Sequence, residues 1–560
     1  MSRRIPRQRG IRVLPLLFAS MIATATAQDS SRVMTRDSVP PPPDFEIVTD
    51  RWRGIVPPPY ELNVQGSLLD PYNRNMLKGD YPILGQNTFL VLTATAAAAT
   101  GFGTSPTPSG YSARDPFSEQ FFGRWQRMGA NASLLFSAEV YHGDAAYRPR
   151  DWEIKATAVF NRNYLRLQEN NGVNINVREG YERTDGHVAF QELFVGAHLA
   201  DLSDRYDFVS ARAGIQRFAS DARGFVFADE NLGARIFGTA ANNRLQYNLI
   251  VLPLLEKETN SELNTVFEDR GQTVAIATLE LRDLLAPGYA TQFSLHANGD
   301  RATRHFDDNG APARPALAGN ARPHAIRSYY FGWTGDGHID WLNLTHAFYY
   351  SFGRDDENSI AGRLVDISAW MGAAELSIDR DWLRWKLTAF YASGDADPLD
   401  GKGGGFDAIV DEPVFAGGPF SYWVSQGIGL QGVALKQKNS LLPNLRSNKF
   451  EGQSNSVNPG VALLGVSCEA ALLPELKAVA NANYIRFADT RVLEIFVNQA
   501  PLHRQLGIDL GGGLLYRPFL NANVVLAAGV SAFAPLQGFI DLYERSSTLY
   551  AGFASLILTY

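Results

Sequence analysis

From about Asn87 to the C-terminus, apolar and polar residues alternate with a period of two, the repeat of β-strands. In DWEIKATAVFN, Trp152, Ile154, Ala156, Ala158 and Phe160 share one face, and Glu153, Lys155, Thr157 and Asn161 share the other. Leu245, Tyr247, Leu249 and Val251 oppose Arg244, Gln246 and Asn248 in the same way. Ala275, Ala277, Leu279 and Leu281 oppose Thr278, Glu280 and Arg282. NANVVLAAGVSAF and LRWKLTAFY repeat the pattern. A soluble sandwich alternates too, but its strands average about 5–6 residues, whereas a tilted bilayer span needs about 9–11. Many runs here are longer than about ten residues, and their polar face carries Arg, Lys, Glu and Gln at mid-strand, as a watered interior allows.

The pattern predicts strands near 87–98, 130–142, 151–164, 187–200, 207–218, 232–239, 243–253, 272–284, 288–299, 325–335, 338–352, 363–378, 380–393, 459–473, 475–488, 505–517, 521–534 and 547–560. Between them, long and short connections take turns. The short ones include Asp201–Tyr206, Ala240–Asn242, an Ala286-Pro287 corner, Asp336-Gly337, Asp379, Pro474 and Pro518–Leu520, and the longest is 394–458. The total is about 18 strands, or about 20 if 394–458 holds a hairpin, and an even count leaves both termini on one side. The expected fold is all-β: a single antiparallel transmembrane barrel over 86–560, with short periplasmic turns, long extracellular loops and 394–458 as a large external loop.

The N-terminal segment changes the setting rather than the fold. Residues 1–27 combine a cationic start, an apolar stretch over VLPLLFASMIATA and small residues Ala25-Thr26-Ala27 before Gln28, which is the pattern of a cleaved signal peptide. Residues 28–85 read as a proline-rich periplasmic segment, with Pro40–Pro43 and Pro57–Pro59 favouring extended backbone. No run beyond residue 27 is long and apolar enough for a membrane helix. The 33 Phe, 22 Tyr and 9 Trp suit aromatic girdles. The net charge of −7 becomes −12 once the five arginines of residues 1–27 are removed, which argues against a nucleic-acid partner. The one cysteine, Cys468, precludes an internal disulfide and reads as a small packed side chain.

The chain ends LYAGFASLILTY, with Tyr550, Gly552, Ala554, Leu556, Leu558 and Tyr560 on one face. This resembles the terminal strand of Gram-negative outer-membrane barrels, which the insertion machinery reads. In layout, residues 87–560 are similar to porin-like barrels and, among these, to the 18-stranded alginate-export type. The resemblance implies a cell outer membrane location, with outer-membrane lipid, the assembly machinery and small polar solutes as partners. It assigns Trp152, Tyr550 and Tyr560 to the membrane girdle and terminal strand.

The polar face supplies candidate lumen or constriction residues: Lys155, Arg212, Arg244, Glu280, Arg282, Arg384, Lys386 and Lys477, with Glu153, Glu192 and Asp509 as counter-charges. Opposed charges across a pore orient water and polar solutes. Asp395, Asp397 and Asp400 lie close together before Gly401 and form a candidate calcium site, although the spacing departs from the helix-loop-helix motif. Gly403-Gly404-Gly405 would let the long loop bend into the lumen, and 220–238, with Arg223, Asp229, Glu230 and Arg235, is a second candidate constriction. His187 and His198 fall on one predicted strand with opposite faces. No G-x-S-x-G, H-E-x-x-H or P-loop pattern occurs, so an enzyme is not expected. A channel for small polar or anionic solutes, such as sugars, is the leading expectation. A non-transporting barrel (adhesin, envelope scaffold or hydrolase) is the alternative. An energised transporter would draw on Glu46–Thr49 near the mature start, but 28–85 is too short for a plug domain.

Overall fold

The computed structural model describes residues 76–108, 122–143, 149–170 and 172–560. The signal peptide, most of the proline-rich segment and Glu46–Thr49 lie outside the described residues. Eighteen long strands form one sheet. They are β1 (Thr88–Thr104), β2 (Gln126–His142), β3 (Trp152–Leu167), β4 (Glu182–Asp201), β5 (Phe208–Ala219), β6 (Ala228–Ala240), β7 (Leu245–Lys257), β8 (Asn264–Arg282) and β9 (Tyr289–Asp300), followed by β10 (Ile326–Ile339), β11 (Leu342–Asn358), β12 (Arg363–Arg380), β13 (Leu383–Ala392), β14 (Val461–Leu473), β15 (Leu476–Phe487), β16 (Gln505–Tyr516), β17 (Val524–Pro535) and β18 (Leu549–Thr559). Each pairs antiparallel with the next. β18 then pairs with β1, from Thr95↔Thr559 to Gly103↔Ala551, so the sheet is a closed ring. Closure matters because unsatisfied backbone groups are not tolerated in hydrocarbon.

Alternation decides which side chains face out. On β3, Ile154 and Phe160 are exposed while Glu153, Thr157 and Asn161 are buried. The outward side is apolar around the ring, including Leu134, Phe136, Leu249, Leu295, Phe331, Trp370, Leu464, Leu510 and Val530. Trp152 and Tyr550 are exposed on this side, and the Lys78 ammonium sits 4.2 Å from the centre of the Tyr560 ring. Trp152 and Tyr560 mark the end of the barrel with short turns, and Tyr550 marks the opposite, loop-bearing end. Cys468 is a free thiol on this outward phase, between Trp385 and Ala480.

Several boundaries differ from the sequence reading. Asp336-Gly337 is inside β10 rather than a turn, and the reversal is Asp340-Trp341; likewise the reversal after β12 is Asp381-Trp382 rather than Asp379. In both, aspartate takes the left-handed backbone of the first turn position (φ +57° and +55°), which Asp tolerates and a tight hairpin requires. His187 and His198 do not face opposite ways. Thr157 pairs with Glu192 and Ala158 with Phe190, so Gln191 is an extra residue on β4. This bulge resets the alternation and puts both imidazoles on the inner face. His187 meets the Asn264 carbonyl at 3.2 Å, and His198 Nε2 meets Asp201 Oδ1 at 3.0 Å.

Candidate functional site

Two segments from the loop-bearing end occupy the lumen, and the first is the β5–β6 hairpin. Beyond Ala219 it leaves the wall, and its tip is buried at Phe225, Val226 and Phe227. Asp221 holds the tip together: Oδ1 accepts the Arg223 and Gly224 amides at 2.8 and 2.7 Å, and Oδ2 accepts from Tyr349 Oη at 2.8 Å. Burial raises the Asp221 pKa, and these donors oppose the rise. Gly224, at φ +74°, carries no Cβ because one would lie 2.7 Å from the Glu412 carbonyl.

The second segment is 393–460. The sequence reading makes 394–458 a large external loop that Gly403-Gly404-Gly405 could bend into the lumen, and the segment packs in the interior. Phe406, Ile409, Val410, Tyr422, Trp423, Ile428, Leu430 and Leu435 join one apolar cluster with inner-wall residues such as Ile250, Ile276, Tyr349, Met371 and Phe533. The physical reason is composition, since a stretch this apolar loses less by packing against the wall than by standing in water. The hairpin tip adds to it as a strand, with Phe227 bridged in parallel to Val410 and the Glu412 amide donating to the Gly224 carbonyl at 2.9 Å. Tyr330 Oη donates to the Asp407 carbonyl at 3.0 Å, Asn483 Nδ2 to the Ala416 carbonyl at 3.1 Å and Tyr422 Oη to the Thr104 carbonyl at 2.6 Å. Inside the segment, Arg446 Nε lies 2.8 Å from Asp407 Oδ2, with both side chains 3% exposed. Lys436 Nζ donates to the Val424, Gln437 and Ser440 carbonyls, and burial pulls its pKa well below the ordinary value.

The wall toward the turn end carries a set of charged pairs. Lys155 Nζ is 2.8 Å from Glu192 Oε2. These two, with Thr157, Thr93, Thr95 and Ser137, line a recess of about 230 Å³. Arg212 Nη2 is 2.6 Å from Glu153 Oε1, and the guanidinium covers the Phe194 ring at 4.1 Å. Glu280 and Arg282 are neighbours on β8 at 3.4 Å. Lys386 and Lys477 converge on Glu469, Lys386 at 2.6 Å. Arg384 is at the rim, with Nη2 2.7 Å from Asp379 Oδ2. Arg244 is not on the wall: it is exposed in the 241–244 turn, one residue before β7 begins.

Asp395, Asp397 and Asp400 do not converge. Asp395 Oδ1 accepts the Asp397 amide, Asp397 Oδ1 the Leu399 amide and Asp400 Oδ1 the Lys402 amide, so each closes its own turn. Among the described residues no group of three acidic, His or Cys side chains could hold a metal ion, so these three aspartates form no calcium site. Asp395 is 3% exposed, and burial lifts its pKa to about 7, with Asp400, Asp397 and Asp489 adding repulsion.

Two arginines have inward contacts that alternation alone does not reveal. Arg223, at the hairpin tip, lies 3.2 Å from Glu375 Oε1 and 3.7 Å from Asp336 Oδ1. Arg235 pairs across the sheet with Arg212 on the inner face. Its Nε donates to the neutral Asn248 Oδ1 at 2.9 Å, and it lies over Phe237 and Phe218 at 4.5 and 5.3 Å. No carboxylate among the described residues forms an ion pair with it. Both residues stand in the sequence segment marked for its charges, but the partners arrive from distant strands.

No family model and no curated protein matches the chain. Among solved structures it is similar to OccK9 (OpdG) of Pseudomonas aeruginosa, at 10% identity over 84% of this chain and 97% of that one, TM-score 0.47. It is also similar to OccK7 (OpdD) of the same organism, at 10% identity over 84% and 98%, TM-score 0.44. A third similar structure is a BenF-like porin from Pseudomonas fluorescens Pf-5, at 10% identity over 84% and 98%, TM-score 0.43. At this identity and TM-score the likenesses say nothing of cargo.

Proposed function

We propose that this chain is an outer-membrane channel, not an enzyme, that passes small polar or anionic solutes through a narrowed, charge-lined lumen. One observation carries the reading: a closed ring that is apolar outside holds ionised side chains on its inner wall, and charges there are tolerated where water reaches them. The narrowing is made by the hairpin tip and 393–460, so flux is set by what fits past Arg223 and Arg235. Arg235 supports the anionic preference, because an inward cation with a neutral partner attracts anions. The terminal strand Leu549–Thr559 with Tyr560 supports delivery by the outer-membrane assembly machinery. Similarity to the alginate-export type rests on strand number alone, and sugars have no separate support.

Planar-bilayer conductance of the purified barrel tests this. Small, anion-favouring unit conductance is expected, with larger steps when the segment between Lys402 and Glu451 is shortened. The density of the apolar packing in 393–460 favours the second reading, a non-transporting barrel. That reading prevails if neither the wild type nor the shortened variant conducts.

A further inference from the structure

Arg327 on β10 and Arg354 on β11 are direct cross-strand partners on the outward face, near the loop-bearing end. Like charges directly opposite destabilise a sheet unless something lies between them. Arg354 has a partial answer in Asp366, Nε–Oδ1 3.0 Å, with both side chains more than half exposed. Arg327 is exposed and forms no ion pair among the described residues. On its other flank the register partner is Gly299, where a Cβ would meet nothing within 4 Å, so space stands open beside the guanidinium.

Depth completes the site. The next outward row toward mid-barrel is Tyr329 and Phe352, stacked with their centroids 5.4 Å apart, and Tyr350 stacks on Phe352 at 6.1 Å. From Tyr329 to Ile339 the outward residues are Phe331, Trp333, Gly335 and Gly337. Ten residues of a strand tilted by about 40° rise about 25 Å, the height of a barrel's apolar band. The arginine pair therefore stands one row beyond hydrocarbon, where lipid phosphates lie.

We infer that Arg327 and Arg354 clamp a phosphate group of a lipid headgroup in the leaflet on the loop-bearing side. The phosphate lies between the guanidinium groups, with Gly299 leaving the far flank of Arg327 open, and the acyl chains run down the Tyr329 and Phe352 rings. Arginine suits this role because its fixed donor fork matches phosphate oxygens. Arg301 is held by Asp269 at 2.5 Å and stays outside the clamp. The inference rests on the membrane placement proposed above and not on conduction.

The test is native mass spectrometry of the full barrel in detergent, titrated with diphosphorylated lipid A and, separately, with inorganic phosphate. Retention of lipid A is expected to fall about fivefold or more in R327Q/R354Q, to survive largely in R327K/R354K and to fall in G299E, where a carboxylate directly across from Arg327 competes with the phosphate for its guanidinium. Heat-modifiable migration on gels reports folding. Should R327Q/R354Q not fold, G299E decides, because its site has room for the new side chain. Wild-type retention by folded R327Q/R354Q or folded G299E overturns the inference. So does displacement of lipid A by an equal concentration of inorganic phosphate, which would make this a free-anion site. Loss of conductance without loss of lipid retention leaves the clamp standing and removes the channel reading alone.

Discussion

Arg223, at the tip of the β5–β6 hairpin, reaches Glu375 on β12, with Nη2 and Oε1 3.2 Å apart. One ion pair thus joins a segment that has left the wall to a strand a third of the way round the ring. Glu375 also lies 3.7 Å from Lys386, so the contact continues into the charged wall. Glu375→Gln keeps the shape and removes the charge. It is expected to cost about 1–3 kcal/mol, the range for a largely buried charged hydrogen bond, and to free the tip. Urea unfolding followed by tryptophan fluorescence gives the first effect, and larger or noisier unit conductance gives the second.

Arg235 sets the second expectation. Arg235→Gln removes an inner-wall cation that has a neutral partner, while the Arg212–Glu153 pair remains. Anion-to-cation permeability, read from reversal potentials in a salt gradient, should fall about two- to threefold, with little change in stability. Lys155→Gln should give a larger cationic shift, because it leaves Glu192 without its ion-pair partner.

Gly511 tests the seating of 393–460. A Cβ at this position would fall 1.7 Å from the Phe420 carbonyl oxygen, too close for any side-chain movement to relieve. Gly511→Ala should push the Gly418–Phe420 turn off the β16 wall and cost about 1–3 kcal/mol as overpacking. The same change at Gly512, whose Cβ lies on the outward phase of β16 with its nearest contact at 3.0 Å, should be milder. Comparative unfolding of the two variants separates a seated segment from a loose one.

Asp395 predicts the pH dependence. Burial, then its acidic neighbours, raise its pKa from 3.8 to about 7 in the folded chain. The native state therefore holds this proton more tightly than the unfolded chain does. Its contribution is favourable at and below about pH 4 and is lost as pH rises toward about 7, a difference of about 4 kcal/mol. Asp395→Asn should flatten that slope and raise stability at pH 8. Unfolding midpoints measured between pH 4 and 8 for both proteins check it; parallel curves would assign the slope to other groups.

The sequence by itself determined the ring. Alternation is a local property, so strands such as β3 and β8 and their apolar outward side follow from short stretches read alone. Inner-wall residues in regular strands, including Lys155, Arg212 and Lys386, were legible for the same reason. Tertiary structure decided the rest. A single extra residue, Gln191, reversed the facing of His187 relative to His198, and periodicity cannot register such an insertion. The route of 393–460 depends on apolar burial against strands more than a hundred residues away, so the glycines at 403–405 suggest an inward bend while the packing that holds it stays illegible. Which cation keeps a carboxylate and which, like Arg235, does not is set by neighbours across the ring. Such pairings are long-range, and no local pattern in the chain encodes them.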